Sequence, residues 1–204
     1  MNGIGIVILA AGLAKRMGRQ KLLLSLGEKP ILAHVIATAI TIPWTDRIVV
    51  IGDPQDELAE LCDQYNIPWI YNSERHTGQA SSIILALNNL RTDLAGVLFL
   101  QGDQPFISKA LLQALFDCFV SIGHKKSIIV SQYQGQQYSP VLFSSWWIPH
   151  LALLSGDSGG RIIIRENPEH VIPVEWSDKY SFYDADTWED YQLLCRIWSK
   201  GNIG

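Results

Sequence analysis

The chain has 204 residues, of which 48% are hydrophobic, and a formal net charge of −4. That length fits one domain with a substantial core and is short for two domains. The acidic balance argues against broad nucleic-acid binding, which needs a basic surface, although a local group of cations can still bind a small anion. Three widely spaced cysteines indicate free thiols in a reducing compartment and not a zinc site.

The apolar stretch at residues 4–11 has some features of the apolar part of a signal peptide. However, no lysine or arginine precedes it, and it is too short to span a bilayer. Cleavage there would also destroy the loop that follows. We therefore expect a cytoplasmic protein without membrane contacts.

Strand-like and helix-like patterns alternate along the whole chain. Strands are predicted at residues 6–8, 47–51, 68–71, 96–100, 127–130, 137–143 and 171–175. Helices are predicted at residues 31–40, 57–65, 80–90, 109–122, 145–154, 160–166 and 187–199. Continuous apolar strands separated by helices are typical of a parallel sheet covered on both faces, which predicts an α/β fold. No linker or repeat divides the chain, so we predict a single domain over residues 1–204.

The segment after the first strand is the most informative part of the sequence. Three small residues end the strand: Ala10, Ala11 and Gly12. Three cations follow around Gly18: Lys15, Arg16 and Lys21. Exposed backbone amides and fixed positive charge at the end of a strand are suited to holding phosphates. The segment has neither the GxGxxG spacing nor a GKS or GKT sequence, and an ordinary turn with exposed basic residues is the alternative.

Carboxylates follow two other predicted elements. Asp103 lies in the loop that follows the strand at 96–100, beside Gly102, and is a suitable hard oxygen ligand for Mg²⁺. Asp184 and Asp186 lie on the same side if the chain is extended there, and two like charges close together favour a shared cation. The alternatives are a turn aspartate for Asp103 and a favourable helix N-terminus for Asp186.

A polar segment at residues 72–82 is the third candidate. Gly78 provides backbone freedom, and three side chains at the start of the next helix can hydrogen-bond to a base edge or a ribose: Gln79, Ser81 and Ser82. The alternative is a capped helix, because serines commonly fill that role.

Residues 9–24 resemble the signature of MobA-like nucleotidyltransferases, and most closely that of molybdenum cofactor cytidylyltransferases and related xanthine dehydrogenase accessory proteins. The resemblance continues in order through residues 78–82, 102–105, 140–143, 156–161 and 184–187, and so spans nearly the whole chain. It implies a three-layer, Rossmann-like nucleotidyltransferase fold with a mostly parallel central sheet. It also implies an enzyme that moves a nucleoside monophosphate from an NTP to a phosphate acceptor.

The resemblance further implies roles for individual residues. Arg16 and Lys21 would neutralise the triphosphate, and Asp103 would bind Mg²⁺ together with Asp186 or Asp184. The implied nucleotide-binding residues are Leu9, Ala10, Ala11, Gly12, Arg16, Lys21, Gln79, Ser81 and Ser82; the implied catalytic residues are Arg16, Lys21 and Asp103.

Substrates and partners also follow from the resemblance. The Ala10-Ala11 pair is similar to the CTP-using branch, whereas the guanylyl branch has Gly-Gly there. The implied acceptor is molybdopterin or the molybdenum cofactor, with pyrophosphate released and a molybdenum hydroxylase such as xanthine dehydrogenase as the implied partner. The subgroup usually has Gly-His-Pro where this chain has Tyr138-Ser139-Pro140, which leaves open a different acceptor, such as a sugar phosphate, or Tyr138 in the place of the histidine. A non-catalytic accessory protein is the third alternative.

Overall fold

The computed structural model describes residues 3–13, 17–18, 20–122, 125–157 and 159–201. Within these ranges the strands are β1 Ile4–Ala10, β2 Ser25–Leu26, β3 Lys29–Pro30, β4 Asp46–Ile51, β5 Trp69–Tyr71, β6 Gly96–Gln101, β7 Ile128–Tyr133, β8 Gln136–Ser144 and β9 Val171–Glu175. The α-helices are α1 Ile31–Ala39, α2 Gln55–Gln64, α3 Gln79–Asn89, α4 Lys109–Ile122, α5 Ile148–Leu151, α6 Arg161–Glu166 and α7 Trp188–Ser199.

Seven of these strands form one central sheet in the order β5-β4-β1-β6-β8-β7-β9. Neighbouring strands are parallel except where β8 pairs with β6 and with β7. A two-residue turn explains the exception, because Gln134 and Gly135 both have positive φ angles and connect β7 directly to β8. Such a turn forms a tight hairpin, which makes β8 antiparallel to the strand before it. The prediction of a mostly parallel sheet is confirmed.

The core consists of two apolar layers, one on each face of this sheet. Strand β1 is buried along its whole length. Its alternate side chains Ile4, Ile6 and Ile8 join one layer with α1, α2, α4 and α7. Val7 and Leu9 point to the other layer, which contains α3, α5 and α6. The three-layer α/β prediction is therefore confirmed. Strand β1 lies inside the sheet between β4 and β6, and its carboxyl end lies between theirs at one edge of the sheet.

Two local features differ from the predicted elements. The helix predicted at 145–154 is a 3-10 turn at Ser145–Trp147 followed by the short helix α5. Pro149 lies in the first turn of α5, where its missing N–H is tolerated. The hairpin of β2 and β3 was not predicted, because two-residue strands are too short to show a hydrophobic period.

Candidate active site

A cavity of about 510 Å³ opens at the carboxyl ends of the parallel strands. This is where ligands bind in open α/β sheets. Its lining includes most of the predicted nucleotide-binding and catalytic residues: Leu9, Ala10, Ala11, Gly12, Lys21, Gln79, Ser82, Asp103 and Asp186. Ser81 and Asp184 are not among the lining residues, and Arg16 lies outside the described residues. The fold thus brings to one cavity side chains that are up to 177 positions apart in the sequence.

Small residues stand at the ends of three adjacent strands beside the cavity, and those at the end of β1 line it. Ala10 and Ala11 are buried at the end of β1. A Cβ atom on Gly102 would lie 3.2 Å from the Ala10 side chain, and one on Gly52 would lie 3.1 Å from the Ala11 backbone. No atom of the described residues lies within 4 Å of the position that a Cβ atom would take on Gly12. Larger residues at the two flanking glycines would therefore press against the loop, while Gly12 leaves room for a ligand beside the backbone.

The charged end of the cavity is organised around Lys21. Its Nζ donates hydrogen bonds to Asp103 Oδ2 at 2.5 Å and to Asp186 Oδ1 at 2.6 Å. The side chains of Lys21 and Asp103 are only 11% and 16% exposed, whereas Asp186 is 46% exposed. Burial lowers the pKa of Lys21, but the two carboxylates outweigh it and hold the pKa above its ordinary value. Lys21 is therefore a fixed cation at pH 7.

The elements that carry these three side chains come from distant parts of the chain. Lys21 begins a 3-10 turn whose first turn is capped by the Gln20 side chain. Asp103 follows β6, and Asp186 immediately precedes a capping box formed by Thr187 and Asp190 at the start of α7. This cap fixes where the helix begins. It thereby holds Asp186 next to the end of the sheet.

Asp184 belongs electrostatically to the same group. Partial burial, together with the nearby carboxylates of Asp103 and Asp186, raises the pKa of Asp184 from 3.8 to about 6. Among the described residues, no three histidine, cysteine or carboxylate side chains are grouped as a metal site. What the structure does bring together is the pair Asp103 and Asp186, which converge on one ammonium group.

The raised pKa of Asp184 predicts a pH-dependent stability. The folded protein binds this proton more tightly than the unfolded chain, so the free energy of unfolding falls as the pH rises from 3.8 to about 6. An Asp184→Asn variant has no carboxyl group to ionise, so its free energy of unfolding does not fall in this way. In EDTA we expect it to be more stable than wild type at pH 7, with a difference that shrinks as the pH falls below 6. Urea unfolding of both proteins between pH 5 and 8 measures this, and a difference that does not change with pH would contradict it.

Arg75 is a cavity residue that the sequence analysis missed. Its guanidinium forms an ion pair with Asp53 and donates to the Tyr71 hydroxyl at 3.0 Å. Its side chain is 17% exposed. The carbonyl of the same Asp53 accepts a hydrogen bond from Gln20, which also lines the cavity. Asp53 therefore ties Arg75 and the end of the first loop to the carboxyl end of β4. Without a contact map, no sequence signal links residues 20, 53 and 75.

Polar side chains at the start of α3 are held by Asn72. Its Nδ2 donates to Ser81 Oγ and to Ser82 Oγ, both at 2.9 Å, and Ser81 Oγ donates to the Gly78 carbonyl. Ser81 thus supports the loop, while Gln79 and Ser82 face the cavity.

Gly78 is where two loops meet, and this contact predicts a stability effect. Its φ angle is +114°, and a Cβ atom there would overlap the backbone of Gly156. The unfavourable φ costs about 1–3 kcal/mol for a residue other than glycine, and the overlap adds to it. We expect Gly78→Ala to lower the free energy of unfolding by more than Gly135→Ala, where φ is +78° and the space is open. Equal losses in urea unfolding would contradict the steric argument.

Tyr138, which precedes the Ser139 that stands where the resembling subgroup has histidine, lies outside the cavity lining. Its ring stacks on Phe182 with centroids 4.6 Å apart and planes 18° apart. Phe182 is two residues before Asp184.

No helix in the described part of the chain has the length and apolar character needed to span a bilayer.

Residues 6–171 match the family described as the MobA-like NTP transferase domain. The purine catabolism protein PucB of Bacillus subtilis is 29% identical over 202 residues, covering 95% of this chain and 96% of that protein. The bifunctional protein GlmU of Thermodesulfovibrio yellowstonii is 34% identical over 136 residues, covering 66% of this chain. The matched region is only 29% of the length of that GlmU.

The solved structures of Rv0371c from Mycobacterium tuberculosis H37Rv have the same fold. One has a TM-score of 0.81 at 25% identity, covering 96% of this chain and 98% of that one. A second, a complex with manganese, has a TM-score of 0.76 at 24% identity with the same coverage. The family match covers most of the chain, including most of β1 and Asp103. The chain belongs to the MobA-like NTP transferase family and is a nucleotidyltransferase.

Proposed function

We propose that this enzyme transfers CMP from CTP to the phosphate of molybdopterin or the molybdenum cofactor, releases pyrophosphate and requires Mg²⁺. The observation that carries the proposal is the convergence of Lys21, Asp103 and Asp186 at one end of a cavity. A lysine can bind the negative phosphates of a triphosphate, and two carboxylates can bind the metal ion that accompanies it.

The donor set fits a magnesium ion. Mg²⁺ is usually bound through one or two carboxylates, with substrate phosphates and water completing its shell. Asp103 Oδ2 and Asp186 Oδ1 already converge on a single cation, the Lys21 ammonium. These two residues would hold the metal, with Asp184 close by. Bound there, Mg²⁺ would neutralise negative charge on the triphosphate and on the leaving pyrophosphate. The manganese complex of a protein with the same fold supports the use of a divalent metal.

In the reaction, an oxygen of the acceptor phosphate attacks the α-phosphorus of CTP. A new P–O bond forms as the bond from the α-phosphorus to the bridging oxygen breaks, and pyrophosphate leaves with that electron pair. The acceptor phosphate is already ionised at neutral pH, so no general base is needed. The protein contributes positioning and charge. Lys21 supplies a fixed positive charge to the triphosphate, and the Ala10–Gly12 backbone allows the nucleotide to lie close.

Polar side chains line the part of the cavity away from Lys21, where we place the nucleoside. Arg75, Gln79 and Ser82 line this end near the carboxyl ends of β4 and β5, while Asp103 follows β6. Strands in a sheet are about 4.8 Å apart, so these ends are separated by roughly two to three strand spacings. That span suits a nucleotide lying across the sheet edge. CTP is proposed because the Ala10-Ala11 pair resembles the CTP-using branch.

The acceptor and partner rest on the family resemblance. A relative named for purine catabolism, similar over almost its whole length, supports a molybdenum hydroxylase such as xanthine dehydrogenase as the recipient of the product. Ser139 stands where the subgroup has histidine, beside Tyr138, whose ring stacks on Phe182. This replacement keeps a second acceptor class, small sugar or alditol phosphates, as the alternative. The charged group of Lys21, Asp103 and Asp186 favours an enzyme over a non-catalytic carrier, because a carrier does not need residues that bind a metal and a triphosphate.

Pyrophosphate release tests the proposal directly. CTP, GTP and ATP are each combined with molybdopterin, with the molybdenum cofactor and with simple sugar phosphates, with Mg²⁺ or with EDTA. We expect release with CTP and a pterin acceptor in Mg²⁺, and none in EDTA. Release only with a sugar phosphate would favour the alternative acceptor. CTP binding without release for any acceptor would favour the carrier.

A further inference from the structure

The position of the Lys21 ammonium raises a question about how a metal enters this site. Its Nζ lies 2.5 Å from Asp103 Oδ2 and 2.6 Å from Asp186 Oδ1. A magnesium ion bonded to these oxygens would lie about 2.1 Å from each of them. It would therefore fill the space that the ammonium fills. Both cations cannot occupy that space, and each would repel the other.

The ammonium of Lys21 is held firmly enough to compete with a metal ion for the two carboxylates. Lys21 and Asp103 are mostly buried, so water screens their attraction weakly. Two carboxylates share the one ammonium, which makes the lysine a bridge between the end of β6 and the start of α7. Removing a partner from such a group leaves charges that must be compensated by something else.

The lysine side chain can leave this position if an anion is offered nearby. Its ammonium ends a flexible four-carbon stem. Gly12 lines the same cavity, and none of the described residues comes within 4 Å of where its Cβ atom would be, which leaves room for a phosphate chain among them. A nucleoside triphosphate in the cavity would supply several negative oxygens as new partners for the ammonium.

We propose that Lys21 is a built-in counter-ion that keeps divalent metal off Asp103 and Asp186 until a nucleoside triphosphate draws the ammonium away. This inference rests on the proposed function and deepens it, because it concerns the regulation of the same site. Metal alone then binds weakly. Metal and triphosphate bind cooperatively, since one takes the carboxylates and the other takes the lysine.

The proposal differs from a purely structural ion pair in what it predicts for metal binding. If Lys21 competes with metal, a neutral residue of similar length should make the carboxylates more available. If Lys21 only holds the two elements in register, its loss should loosen the carboxylates and weaken metal binding. Turnover falls in both cases, so activity alone does not distinguish them.

Manganese titration without nucleotide makes the distinction. We compare wild type, Lys21→Met and the control Lys29→Met, which changes an exposed lysine on the β2–β3 hairpin. The Mn²⁺ affinity is measured by electron paramagnetic resonance of the free ion. A coupling of ordinary size for linked sites is about 5- to 150-fold. We expect Lys21→Met to bind Mn²⁺ more tightly than wild type by a factor in this range, and Lys29→Met to match wild type.

Two further controls test whether the variants fold and whether the competition by Lys21 and the proposed nucleotidyl transfer can fail separately. Far-ultraviolet circular dichroism checks the fold, and Lys21→Gln repeats the neutral substitution with a polar side chain. For wild type, we expect Mn²⁺ affinity to rise when a non-hydrolysable CTP analogue is added, and to rise less for Lys21→Met. Unchanged or weaker Mn²⁺ binding by both folded variants would overturn the inference while leaving nucleotidyl transfer intact. Tighter Mn²⁺ binding by the variants without any CTP-dependent turnover in wild type would support the competition and contradict the proposed function.

Discussion

Replacing Asp103 with asparagine is expected to lower the rate of pyrophosphate release by about two to three orders of magnitude, the usual effect of losing one preorganised electrostatic contact to the transition state. Asparagine keeps the shape of the side chain but removes its charge. It also removes one of the two carboxylates that meet at the Lys21 ammonium. The expected loss is in kcat, measured at saturating CTP and Mg²⁺, because the charge acts on the reacting phosphates.

Asp117→Asn is the matched control for this substitution. Asp117 is exposed on α4, and its carboxylate accepts a hydrogen bond from Gln113; neither residue lines the cavity. We expect the control to have the activity of wild type. A folded Asp103→Asn protein with near-normal turnover would contradict the metal-binding role proposed for Asp103.

Replacing Lys21 with alanine is expected to lower kcat by a similar factor of about two to three orders of magnitude. Among the described residues, Lys21 supplies the positive charge at the end of the cavity proposed to hold the triphosphate. Alanine is neutral and cannot compensate the negative charge of the phosphates. The substitution also leaves Asp103 and Asp186 facing each other without the ammonium between them. We therefore expect a lower melting temperature in EDTA and partial recovery when Mg²⁺ is added.

Differential scanning calorimetry and the turnover assay measure the two effects separately. Lys29→Ala serves as the control because Lys29 is an exposed residue of the hairpin. Retained turnover in the Lys21→Ala protein would contradict a role for this cation in catalysis. A melting temperature unaffected by Mg²⁺ would argue that the metal does not use these carboxylates.

Much of the fold could be predicted because its signals are local. The run from Ile4 to Ala10 is apolar along its whole length, which is what a strand covered on both faces needs. The helix at Lys109–Ile122 and the strand at Val171–Glu175 were predicted with the observed bounds. The predicted bounds at 145–154 were wrong, because the sequence alone did not show that a 3-10 turn ends at Trp147 and a separate short helix begins at Ile148.

The candidate site could be predicted only in part, because its key contacts are not local. The sequence predicted charge after two strands, at Lys21 and Asp103, and at the start of the last helix, at Asp186; in the structure all three line one cavity. It did not indicate that the lysine bridges both carboxylates across 82 and 165 positions. Arg75 was missed for the same reason, since its partner Asp53 lies in a different loop. Arg16 lies outside the described residues, so its role stays a prediction.

If the proposed function is right, the cavity catalyses transfer of a nucleoside monophosphate from CTP to the acceptor. Following a radioactive label from CTP tests it most directly. With CTP labelled at the α-phosphate, a pterin acceptor and Mg²⁺, the label is expected in the acceptor product. With CTP labelled at the γ-phosphate, it is expected in pyrophosphate. A γ-label found in orthophosphate or in the acceptor, with the α-label left in CDP, would contradict nucleotidyl transfer.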